Sequence, residues 1–122
     1  MEAETPQDVA SSIFAKIASG QIPVQAVYED EFVIAFPDIA PVAPTHILVI
    51  PKAAIRDVGC VATLTTEQVA GFLLGIAKTA EACGLDACGY RTVMNTGEDG
   101  GQTVPYLHAH ILGGRPLTWP PG

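Results

Sequence analysis

Positive charge is scarce in this sequence: six Lys and Arg stand against thirteen Asp and Glu, a formal net charge of -7 at pH 7. Holding nucleic acid takes many phosphate contacts from an extended basic surface, so no nucleic-acid partner is expected. A small phosphorylated ligand remains open, because a few backbone N–H groups and imidazoles can hold one locally. Long apolar runs are missing too. The longest, VAGFLLGIA at 69–77, is far short of the roughly 18 residues of a membrane span, and no membrane partner is expected. The acidic start, MEAETPQDVASS, lacks the basic end and apolar stretch of a secretory signal, which predicts a cytoplasmic location, open also to the nucleus. Cysteine is sparse and odd in number. Cys60, Cys83 and Cys88 show no C-x-x-C spacing, which favours idle thiols over a disulfide framework or a cysteine zinc site.

What is present describes one packed domain over residues 1–122, 48% hydrophobic and 16% charged, with residues 1–10 expected to be poorly ordered. No linker, repeat or low-complexity tract interrupts it. Thr5, Pro6 and Asp8 mark a helix start and Gly20 a stop, with Val9, Ile13, Phe14 and Ile17 lining one face. A second helix opens at Thr65, whose capping-box partner is Gln68, and ends before Gly84. Val69, Phe72, Leu73, Ile76, Ala77, Ala80 and Cys83 follow at helical periods, as a core stripe or a subunit interface. Strand patterns occupy QAVYED and FVIAFPD, joined by an acidic turn at 29–31, then HILVIP, GYRTVMN and PYLHAHIL. The sum is an α+β domain, an antiparallel sheet of about five strands with two main helices.

In PYLHAHILGG at 105–114, side chains alternate across the strand, so Tyr106, His108, His110 and Leu112 share one face. Residues two apart on a strand lie roughly 6.5–7 Å from each other, near enough for both imidazoles to reach one tetrahedral group. A satisfied core histidine is the ordinary explanation of either ring alone. A shared phosphate and a shared metal both suit the pair. Zinc needs a third protein ligand, and His46 is the only other histidine, with Glu98 and Asp99 the carboxylates near in sequence. The preceding loop, GEDGGQT, favours phosphate. Gly97, Gly100 and Gly101 let consecutive N–H groups turn toward an anion, and Gln102 and Thr103 add side-chain donors. Pro105, which lacks an N–H, suits a strand start.

The segment NTGEDGGQTVPYLHAHILGG and the ending WPPG, with SSIFAKIASGQIP, YEDEFVIAFPDIAPVAPTHILVIPK and GYRTVMN in order, resemble the histidine triad family, in particular its purine nucleoside phosphoramidase branch. The resemblance implies a homodimer whose two five-stranded sheets join, with a purine nucleoside monophosphate or phosphoramidate bound in each protomer and no cofactor or metal. By position it implies His108 as nucleophile toward the α-phosphorus, His110 at the phosphate and leaving group, and Thr103 near the scissile bond. It places Gly101, Gln102 and Val104 at the phosphate, Asn95 near it, Asp38 and Ile39 at the ribose, and Phe14, Ile17, Ile22 and Phe36 around the base. His46 matches a further histidine beside the site, and Trp119 a tail aromatic near the other protomer's site. The family motif carries a histidine where this chain has Tyr106. A phenol there can orient His108 but stays protonated at neutral pH, which opens the alternative of a catalytically weakened nucleotide-binding partner protein. A neutral imidazole needs no metal to attack phosphorus, and the loop N–H groups of residues 102–104 are expected to stabilise the developing charge.

Overall fold

The computed structural model describes residues 6–122, with side chains from residue 9 onward. The expected helix start at Thr5 and the first five of the residues expected to be poorly ordered lie outside the described residues. The single helix expected up to Gly20 is two: α1, Pro6–Ser11, and α2, Ile13–Ala18. The break is Ser12, whose backbone is extended and whose hydroxyl accepts from Ala15 N–H at 3.1 Å, an N-cap that outcompetes helix continuation. Gly20, at φ 86°, ends this segment as expected.

Five antiparallel strands follow: β1, Tyr28–Glu29; β2, Val33–Pro37; β3, Thr45–Pro51; β4, Arg91–Val93; and β5, Ala109–Gly113, in spatial order β1-β2-β3-β5-β4. The acidic turn between β1 and β2 is built by Asp30, whose carboxylate accepts from Phe32 and Val33 N–H and from the Tyr28 hydroxyl. A 3-10 helix at Val58–Thr63 leads to α3, Thr66–Ala82. Both bonds of the Thr65–Gln68 capping box form, at 2.9 and 3.0 Å.

The sheet is apolar on both faces. Val33, Ala35, Ile47, Val49, Leu107, Ala109 and Ile111 pack toward Phe72, Ile76 and Ala80 of α3. Ile34, Phe36, Leu48, Ile50 and Tyr106 pack toward Phe14 and Ile17 of α2. Burying a side chain of this size contributes about 1.5–3 kcal/mol. The α3 stripe divides between its two expected uses: Phe72, Ile76 and Ala80 are core, whereas Leu73 and Ala77 face outward, Leu73 57% exposed, which leaves the subunit-interface alternative for them. The sheet lies instead against Gly71 and Gly75, where a Cβ would press into the Phe32 ring and come within 2.5 Å of Val33 Cγ2. Among the described residues no helix is long and apolar enough to cross a membrane.

Candidate active site

The chemistry-bearing residues collect on the α2 face of the sheet. Residues 105–108 precede the paired part of β5, yet the alternation holds, with Tyr106 in the α2-side core and Leu107 and Ala109 in the α3-side core. Register sets the next contact. His110 pairs with Leu48 and His46 with Leu112, so the two histidines are diagonal neighbours on adjacent strands, within reach of long side chains. Their rings meet, His46 Nε2 lying 2.9 Å from His110 Nδ1. The His108 ring centroid is 5.0 Å from that of His110 and 5.1 Å from that of Phe14.

Fixed partners assign the tautomers. His108 Nδ1 is 2.7 Å from the Tyr106 carbonyl, and a carbonyl only accepts, so Nδ1 carries the proton and Nε2 keeps its lone pair. His46 Nδ1 accepts from Val42 N–H at 3.2 Å, which leaves its proton on Nε2. From there it donates to His110 Nδ1, with Asp38 Oδ2 3.4 Å away. His110 Nδ1 therefore accepts, and its Nε2 carries a proton. Two adjacent imidazoles are thus opposite in kind: one offers a lone pair, the other an N–H.

Their environment keeps both uncharged. Burial pushes the His108 pKa below its ordinary value, against the opposing pull of the Tyr106 carbonyl and the Asp38 charge. His110 is pushed down to about 4 by burial and then by positive charge on His108 or His46, with Asp38 pulling the other way. Desolvation disfavours the charged form of an imidazole, and two such rings side by side disfavour it further.

The histidines floor a cavity of about 590 Å³. Phe14, Ile17, Ile22 and Phe36 wall it, Asp38 and Ile39 also line it, and Thr103 and Val104 line it with His108 and His110. His46 sits behind His110, only 7% exposed. The lining also includes Ile13, Val24, Gln25, Pro37 and Leu48, which sequence reasoning missed. Leu48 was readable in principle, alternating with His46 on one strand. Trp119 is elsewhere, 79% exposed and beside the Arg91 guanidinium, 5.9 Å from its ring centroid.

The glycine loop closes on itself by hydrogen bonds. Gly101, at φ 77°, lets the chain reverse, with Gly101 N–H donating to Glu98 O and Gln102 N–H to Gly97 O. Asn95 Nδ2 donates to Gly100 O at 2.7 Å. The Gln102 amide donates to the carbonyls of Arg56 and Val104 and accepts from Gly97 N–H. Asn95, Gly101 and Gln102 therefore build the loop and lie outside the cavity lining. Among the described residues, the N–H groups of Thr103 and Val104 have no hydrogen-bond partner, and their residues line the cavity beside the histidines.

A metal would meet a different donor set from the three histidines weighed above. Asp38, His46 and His110 offer ligand atoms within 4.8 Å of one another, while His108 Nδ1 is committed to the Tyr106 carbonyl. Three ligands suit zinc, but an ion there would take the place of the proton between His46 and His110.

The HIT domain family model matches residues 19–117. The chain is 46% identical over 106 residues to the purine nucleoside phosphoramidase of Escherichia coli, covering 87% of this chain and 89% of that protein. It is 48% identical over 120 residues to a 14 kDa zinc-binding protein of Zea mays, covering 94% and 91%. Its structure is similar to the crystal structure of a HIT family hydrolase from Legionella pneumophila Philadelphia 1, with a TM-score of 0.85, 47% identity and coverage of 92% of this chain and 100% of that one. With the family model matching most of the chain and relatives of this identity and coverage sharing its five-stranded sheet, the chain belongs to the HIT family.

Proposed function

We propose that this protein hydrolyses the P–N bond of purine nucleoside 5′-phosphoramidates. One observation carries the reading: at the floor of an apolar cavity, His108 presents a lone pair and His110 an N–H. His108 Nε2 attacks the α-phosphorus, and the P–N bond to the amine breaks. The amine takes the His110 Nε2 proton, and His46 Nε2 resupplies a proton at His110 Nδ1. The Asp38–His46–His110 chain is then one proton short, offset by the positive charge of the nucleotidyl-imidazolium, whose Nδ1–H remains on the Tyr106 carbonyl. Water attacks phosphorus, its oxygen leaves with AMP, and its proton refills the chain. The N–H groups of Thr103 and Val104 stabilise the charge that develops on the phosphoryl oxygens, with the Thr103 hydroxyl beside them. Apolar walls at Phe14, Ile17, Ile22 and Phe36 receive the base and Asp38 the ribose. The similarity to the E. coli enzyme supports this substrate class.

The working unit is a homodimer. The outward face of α3 shows Leu73 and Leu74, 57% and 56% exposed, and β4 ends the sheet with an unpaired edge, which a second copy would continue. Trp119, outside its own cavity and 79% exposed, is the residue this reading assigns to the partner's site.

Rapid-quench incubation with a lysyl adenosine phosphoramidate tests the proposal. A nucleotide adduct on His108 and release of AMP are expected, with neither in His108→Ala. AMP binding without turnover would replace the enzyme with a nucleotide-binding partner protein. The Asp38, His46 and His110 cluster and the Zea mays relative favour a second reading, a zinc-holding protein. Stoichiometric zinc in purified protein, lost in His46→Ala, would establish that one.

A further inference from the structure

Tyr106 is the one position where the chain departs from the motif it resembles, and the structure gives that departure a use. The ladder between β3 and β5 ends at Val49 paired with Ala109. Beyond it, the stretch that carries His108 has no rungs to hold it against β3. Tyr106, 0% exposed, bridges that gap with its phenol, whose hydroxyl donates to the carbonyl of Pro51 at the end of β3. Its backbone N–H donates to Val104 O, and the next N–H, of Leu107, donates to Ile55 O, both at 2.8 Å. Pinned from these sides, the Tyr106 carbonyl points at His108 Nδ1, 2.7 Å away. The phenol ring meets Phe14 edge-on at 6.4 Å, and Phe14 meets His108 edge-on at 5.1 Å. Tyr106 thus reaches the nucleophile by two routes, one through its carbonyl and one through its ring.

We infer that Tyr106 is a positioning residue: its phenol, hydrogen-bonded to the Pro51 carbonyl, stands in for a missing strand rung and thereby locks His108 as the Nδ1–H tautomer with Nε2 facing the cavity. An imidazole at 106 is shorter than a phenol and titrates near 6.5, so an anchor made from it would weaken as the ring changed charge. Burial pushes the Tyr106 phenol up to about 12, so this anchor keeps its proton throughout the range in which the enzyme would work. The inference rests on His108 being the reacting group, but its central claim, the tautomer, is readable without turnover.

The test compares wild type with Tyr106→Phe, which keeps the ring and removes the hydroxyl. Histidine 15N NMR should show His108 as a single Nδ1–H tautomer in wild type and as a mixture in Tyr106→Phe. With the phosphoramidate substrate, kcat should fall about tenfold while KM stays within about twofold, since misplacing the nucleophile affects the reacting geometry more than ground-state binding. p-Aminophenylalanine at 106, which restores a donor on the same ring, should recover most of the loss. A Tyr106→Phe protein with a lower Tm but unchanged tautomer and kcat would reduce the phenol to a fold brace and overturn the inference. Should Tyr106→Phe fail to fold, the p-aminophenylalanine protein is read alone. With a donor restored on the same ring it should keep the single Nδ1–H tautomer of His108, and a mixture of tautomers there would overturn the inference. A wild type that locks the tautomer yet releases no AMP would sink the phosphoramidase reading and leave this one standing.

Discussion

Replacing Gly100 by Ala tests whether the glycine loop is an anion cradle or only a turn. An added Cβ at this position would press into Thr96 O and come 2.9 Å from Thr96 N and 3.1 Å from Thr96 C. These are backbone atoms, so no side chain can swing aside and the loop itself must open, by about 1 Å to restore ordinary contact distances. The segment being displaced carries the Thr103 and Val104 N–H groups three and four residues on. A donor moved by that much no longer lies at hydrogen-bonding distance from a phosphoryl oxygen, and losing one such donor costs about 10²–10³ in kcat. The fold should barely notice, because Gly100 and its neighbours in the loop are exposed. Steady-state release of AMP from an adenosine phosphoramidate, beside thermal unfolding, measures both. A Gly100→Ala protein with kcat within twofold of wild type would refute the reasoning and return the charge stabilisation to side chains alone.

Four further outcomes follow from the same geometry. Because burial lowers the His108 pKa and sets that of His110 at about 4, the acid limb of kcat/KM should fall below 6.5, with little loss between pH 8 and 6.5. Stability should follow the same window: an unfolded His110 binds its proton near 6.5 and the folded one near 4, so stability is full above 6.5 and declines as pH falls toward 4, measurable by denaturant titration at each pH. His46→Phe removes the donor to His110 Nδ1 and should cost about 10–100-fold in kcat with less change in KM, as for other residues that orient a reacting imidazole. Leu73→Asp combined with Leu74→Asp should convert a dimer to monomers in light scattering without unfolding them, and an unchanged mass would remove α3 from the interface.

Local signals were legible where one stretch of chain held all the information. Thr65 and Gln68 define the start of α3 because both capping bonds are made within four residues. The same-face placement of Tyr106, His108 and His110 followed from alternation alone, and it held although only Ala109–Gly113 joins the ladder. Failures arose where a second element decides. Periodicity put Leu73 and Ala77 on one stripe with Phe72 and Ile76, core or interface, and could not divide it; Gly71 and Gly75 let Phe32 and Val33 approach a side of the helix that leaves Leu73 and Ala77 outward. Ser12 reads as one of a serine pair within a helical pattern until its hydroxyl is seen capping Ala15. Gln102 looked like an anion donor, and its amide is consumed by Arg56, Val104 and Gly97. That His46 meets His110 depends on β3 lying beside β5, a pairing of residues 64 positions apart.

The opposite tautomers of His108 and His110 are set mainly by the main chain. The Tyr106 carbonyl fixes one ring directly, and the Val42 N–H fixes the other through His46. Had the Val42 N–H faced away, His46 could carry its proton on Nδ1, and His110 Nδ1 would then have to donate, which would turn its Nε2 into a second lone pair with no proton for a leaving amine. Two lone pairs would hydrolyse nothing efficiently, and two N–H groups would have no nucleophile. Val42 N–H is held by the 38–45 connection, whose ends are Asp38, with its N–H on His46 O, and Thr45, paired with Gly113, while Arg115 Nη2 donates to Val42 O at 3.3 Å. Residues remote from the cavity therefore have a route to its proton inventory. Arg115 is exposed and absent from the cavity lining, so Arg115→Ala should lower kcat by loosening Val42 while leaving KM for the nucleotide unchanged. If kcat is unmoved and His46 still reads as the Nε2–H tautomer by 15N NMR, the loop needs no such tether.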